Sequence, residues 1–140
     1  MLTAEFVREL RAAWLPNVSD TGLDRILDLL HKASPLLVHG RFTAALPQGC
    51  LATHVAWHHP AVGHRTLDAG IFWLSRVAGL NPATSHVIQA WDRYGPHDWA
   101  FRSELVALLE EEQAARRGGT VSAGREAPRL CCRSGCPADR

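Results

Sequence analysis

Apolar residues recur three and four apart along most of residues 3–112, which predicts an all-α, compact bundle of about five to six helices. Thr3 offers an N-cap for a helix over 3–14, striped by Phe6, Leu10 and Trp14 and ended by Pro16 and Asn17. Ser19, Asp20 and Thr21 offer the next cap, with Thr21 and Asp24 spaced as a capping box. Leu23, Ile26, Leu27 and Leu30 then carry a second helix to about Lys32. Residues 34–49 have no clear period; Ser34-Pro35 could open a short helix, and Leu36 to Val38 could form a brief strand. A third helix is expected over 50–59, stopped by Pro60. A fourth, from His64 to about Leu80, is apolar around much of its circumference and is expected to be central, with Gly79 as its C-cap. Asn81-Pro82 is expected to begin a fifth, ending near Tyr94-Gly95, and Pro96 to Asp98 a sixth, through Phe101, Leu105, Leu108 and Leu109. From residue 118 the period is lost among Gly, Pro, Ser and Arg. The division expected is therefore a helical domain over 1–117 and a flexible, disordered C-terminal tail over 118–140, containing arginines and Cys131, Cys132 and Cys136.

Composition narrows the class without naming a function. Hydrophobic residues at 46% and charged residues at 21% are ordinary for a globular chain with a real core. A formal charge of +1 gives no global case for nucleic acid or for an acidic membrane surface. Glu5 and Glu9 interrupt the N-terminus, and no apolar run approaches the ~20 residues of a membrane span. A cytoplasmic location with no membrane partner is the expectation. The clustered tail cysteines do not look like a disulfide framework.

The candidate chemistry lies in residues 50–68, which hold four of the eight histidines and the one cysteine outside the tail. At about 100° per residue, a helix over 50–59 stacks Cys50, His54 and His58 on one stripe. Trp57, Leu51 and Val55 flank that stripe, so it lies on the face expected to be buried. A buried imidazole needs partners for its ring nitrogens, because an unpaired buried polar group costs about 1–3 kcal/mol. A second helix beginning at His64 would turn His64, Asp68, Ile71 and Ser75 back toward the first. Imidazoles one turn apart with a thiolate or carboxylate nearby are a usual donor set for zinc or iron. The expected ligands are Cys50, His54, His58 and His64. Asp68 and His58 are the candidate catalytic pair, and Trp57 and Trp73 the candidate walls of a small-ligand pocket.

The spacing of His54, His58 and His64, H-x3-H-x5-H, resembles the zinc-binding helix of metzincin proteases. Val55 stands where that family has its general-base glutamate and Ala61 where it has glycine, which argues against a peptidase. His54, His58, His59 and Pro60 resemble the H-x3-H-H-P core of pterin-carbinolamine dehydratases, although Thr66 or Leu67 replaces the aromatic residue of that pattern.

Three readings follow. The first is an all-α protein with a His-rich interior site for a transition metal or small ligand, one form of which is a metal-dependent enzyme acting on a small molecule. The second is a helix-turn-helix regulator over 68–93, where Gly79 resembles a repressor turn and Thr84, Ser85 and His86 stand at base-reading positions. Only Arg93 is cationic along that recognition helix, which disfavours nucleic acid as a partner. The third is a helical interaction or accessory protein with structural histidines. A homo-oligomer is compatible with all three.

Overall fold

The structure, a computed structural model, describes the backbone of residues 2–62 and 67–132 and the side chains as far as residue 118. It is all-α: six α-helices and no strand among the described residues. They are α1 (Ala4–Glu9), α2 (Asp20–His31), α3 (Leu51–Trp57), α4 (Ala69–Phe72), α5 (His86–Tyr94) and α6 (Trp99–Cys132). α1 passes into a π-helical turn at Leu10–Trp14, and α4 into another at Trp73–Val77. The chain divides into two units, Met1–Glu110 and Glu111–Arg140.

Short polar residues start several helices as their chemistry requires. Thr3 Oγ1 accepts from the Phe6 amide at 3.1 Å. Ser19, rather than Thr21, caps α2, accepting from Gly22 N at 3.0 Å. Asp98 accepts from Phe101 N at 2.9 Å at the start of α6. The fifth helix begins at His86, not at Asn81-Pro82. Asn81 Oδ1 accepts from Ala83 N at 2.8 Å, which closes a turn there, and the buried Ser85 supplies the cap for Ile88 N at 3.2 Å.

Three fully buried tryptophans organise the core of the first unit, and each indole N–H finds an acceptor. Trp14 donates to Glu9 Oε2 at 3.0 Å, Trp73 to Asn17 O at 3.3 Å, and Trp91 to Val38 O at 2.8 Å. Trp14 meets Trp73 edge-on at 5.0 Å, and Phe101 contacts Phe6 and Trp91 at 5.8 and 6.2 Å. Leu105 and Leu109 extend the buried side of α6. In the second unit, Glu112 pairs with Arg116 at 2.8 Å, one turn on. The α6 backbone is described to Cys132. The side chains of 119–140, including the tail cysteines, lie outside the described residues.

The fourth helix differs most from its expected form. It is not apolar-buried all round. Ala69, Gly70, Trp73 and Leu74 are buried, while Leu67, Asp68, Ile71, Phe72, Ser75 and Arg76 are exposed. Gly70 explains the asymmetry: a Cβ there would lie 2.9 Å from Thr53 N and 3.1 Å from Thr53 Cα, so only glycine lets α4 sit this close to α3. Gly79, at φ 71°, terminates the segment as expected, with Leu80 N bonded to Leu74 O at 2.8 Å.

Candidate functional site

α3 is buried at every position from Leu51 to Trp57, including Thr53 and His54, so it is a core helix rather than an amphipathic one. It is also shorter than the expected 50–59. Cys50 is extended, at φ −78° and ψ −177°, and gives its amide to Phe42 O at 2.9 Å. At the other end His58 N and His59 N bond to Val55 O and Ala56 O, three residues back, which tightens the last turn before Pro60. His58 is therefore the C-cap, at φ −109° and ψ 13°, and does not continue a Cys50–His54 stripe.

The poorly periodic segment 34–49 wraps over the start of α3. Leu37 and Thr43 each form an isolated bridge with Gly49, and no strand results. Val38 N donates to Gly49 O and Gly49 N to Leu36 O, both at 3.0 Å. The same Leu36 carbonyl accepts from the His54 ring at Nε2, 2.8 Å away. A carbonyl oxygen only accepts, so this nitrogen carries the proton. Trp57 closes the side of the imidazole edge-on at 5.1 Å. Thr53 Oγ1 donates to Phe42 O at 2.7 Å and lies 3.7 Å from Cys50 Sγ. Burial pushes the Cys50 thiol up from 9.0 to about 11, so it is protonated at neutral pH and is a poor nucleophile.

The expected site residues thus part company. Cys50, His54 and Trp57 share the buried surroundings of α3. His58 is half-buried, and its backbone carbonyl accepts from Ser19 Oγ at 2.8 Å, which ties α3 to the cap of α2. Asp68 is exposed and, with Ile71 and Ser75, turns away from α3 rather than toward it. Trp73 is buried against Trp14. His64 lies outside the described residues. Among the described residues no group of three or more His, Cys, Asp or Glu is placed to hold a metal ion.

Sequence reasoning passed over Glu9, which reads as an ordinary surface acid. Its carboxylate crosses to the start of α5 and accepts from Ser85 Oγ at 2.5 Å, His86 N at 2.8 Å and Val87 N at 3.2 Å. This also bears on the helix-turn-helix pattern: Ser85 is consumed inside the fold, and residues 78–85 make a longer connection than the 3–4-residue turn of that motif. Next to this junction, Leu2 and Phe6 with His86, Gln89, Arg93 and Tyr94 line a depression of about 200 Å³. That is below the ~300–1,000 Å³ of pockets that hold drug-sized ligands. No helix among the described residues is long and apolar enough to cross a membrane. The chain matches no family model, no curated protein and no solved structure.

Proposed function

We propose that the chain is a helical interaction protein in which Cys50 and His54 are structural parts of the core. The observation that carries this is the bond from His54 Nε2 to the Leu36 carbonyl, at 2.8 Å within a fully buried helix. It fixes the proton on Nε2 and leaves Nδ1 as the lone-pair nitrogen of the ring, and it uses the histidine to fasten the 34–49 segment over α3. A neutral thiol at Cys50 fits the same role. The outward apolar side chains Leu67, Ile71 and Phe72, at 63%, 42% and 46% exposure, supply a surface suited to a macromolecular partner.

Metal content of the purified, untagged chain tests this, together with melting curves of wild type, His54→Ala and His58→Ala with and without chelator. The expected result is no stoichiometric metal and no effect of chelator. His54→Ala should lose about 2–4 kcal/mol, from the lost bond and the cavity left behind. His58→Ala should lose less than His54→Ala, since the side chain is only half-buried and the backbone bond to Ser19 survives. Stoichiometric zinc or iron that both substitutions remove would overturn the reading and restore a site built on Cys50, His54, His58 and His64.

A further inference from the structure

Exposure along the fourth helical segment repeats every four residues. Leu67 and Asp68, Ile71 and Phe72, Ser75 and Arg76 are exposed in pairs, and Ala69 and Gly70, Trp73 and Leu74 are buried in pairs. A repeat of four is longer than the ~3.6 of a pure α-helix and fits a segment that passes from α to π geometry. The result is a straight outer face with apolar side chains toward one end and the middle. Its termini carry opposite charges: Asp68 and Arg76 lie four residues to either side of Phe72. Among the described residues neither forms an ion pair.

We propose that this face is the isologous contact of a homodimer, with a second copy of α4 and its π turn lying antiparallel across it. The inference rests on the reading of the chain as an interaction protein and names its partner. A two-fold axis through Phe72 brings Asp68 of each copy to Arg76 of the other, so both charged pairs are satisfied by one operation. Ile71 and Phe72 meet across the axis between those pairs, and Leu67 lies just outside each pair, opposite Val77 of the other copy. A uniformly acidic or basic partner would meet a like charge at one end of the face, whereas a reversed copy meets none. The formal charge of +1 leaves little net repulsion between copies. So short a face buries less than the ~1,200 Å² of a standard interface, so the dimer is weak and depends on concentration.

Sedimentation of the full chain under reducing conditions, from about 1 µM to about 1 mM, reads the association directly. Wild type is expected to pass from monomer to dimer across that range. Phe72→Ser should weaken the dimer at least about tenfold by removing the central apolar contact. Asp68→Arg alone and Arg76→Asp alone each create two like-charge pairs and should weaken it similarly, and the double variant Asp68→Arg/Arg76→Asp should restore it. All three positions altered here are exposed, and circular dichroism melts check that each variant keeps its fold. A wild type that stays monomeric throughout overturns the proposal. So does a dimer indifferent to Phe72→Ser, or a double variant no better than the single ones. A metal-free, monomeric protein would remove the homodimer and leave the structural reading of His54 standing, whereas bound metal would remove that reading alone.

Discussion

Replacing Gly70 with alanine sets two effects of opposite sign against each other. Alanine is the better helix former by about 1 kcal/mol, and on propensity alone the change should stabilise α4. The added Cβ, however, would meet Thr53 Oγ1 at a distance of 2.4 Å, Thr53 N at 2.9 Å and Thr53 Cα at 3.1 Å. Rotating the Thr53 side chain relieves only the first contact, and it costs the bond from Thr53 Oγ1 to Phe42 O, about 1 kcal/mol. The two backbone contacts can be relieved only by moving α4 off α3, and overpacking of this kind costs about 1–3 kcal/mol. The clash wins, with a net loss of about 1–3 kcal/mol, which corresponds to roughly 5–15 °C in melting temperature for a domain of this size. Thermal and urea melts of wild type, Gly70→Ala, Thr53→Ala and the double variant separate the contributions. If backbone contact dominates, Thr53→Ala will not rescue Gly70→Ala. A Gly70→Ala protein as stable as wild type, or more so, would refute the close approach of the two helices.

Two further outcomes follow from the junctions described. Glu9→Ala strips the acceptor from Ser85 Oγ, His86 N, Val87 N and the Trp14 indole, and should cost about 2–4 kcal/mol in a urea melt; Glu9→Gln should also destabilise, since its amide N–H₂ must face one of those donors. Cys50 has its pKa raised from 9.0 to about 11 by burial, so the folded state holds this proton more tightly than the unfolded chain does. Its contribution is fully present below pH 9 and is lost as pH rises through about 11. Stability should therefore fall across that window, by an amount on the order of 2–3 kcal/mol in wild type, and fall less in Cys50→Ala.

Helix starts were legible where a short polar side chain precedes an apolar period, as at Thr3, Ser19 and Asp98, because the cap is a local bond. Asn81-Pro82 misled because the same dipeptide serves helix starts and turns, and only the burial of Ser85 against Glu9 decides between them. At the candidate site the burial of His54 was readable from its neighbours Leu51, Val55 and Trp57. The acceptor at Leu36 was not, since it comes from the segment with no period. The stripe from Cys50 to His58 assumed an ideal helix at both ends, whereas Phe42 holds Cys50 extended and the final turn tightens ahead of Pro60. For the fourth helix, counting apolar residues could not tell which side was inward. The adjacent small residues Ala69 and Gly70 carried that information, since two backbones can approach closely only where side chains are small.

The carboxylate of Glu9 spans 76 to 78 residues of sequence to reach the start of α5. Closing so long a loop costs chain entropy before any of those bonds can form. These bonds therefore couple α1 to the start of α5 across most of the first unit. Opening of α1 in the native protein would release the Trp14 indole and the His86 and Val87 amides together, because all three donate to Glu9. Hydrogen exchange at the Trp14 indole and at the His86 and Val87 amides would then share one opening rate, although the tryptophan lies far from the other two along the chain.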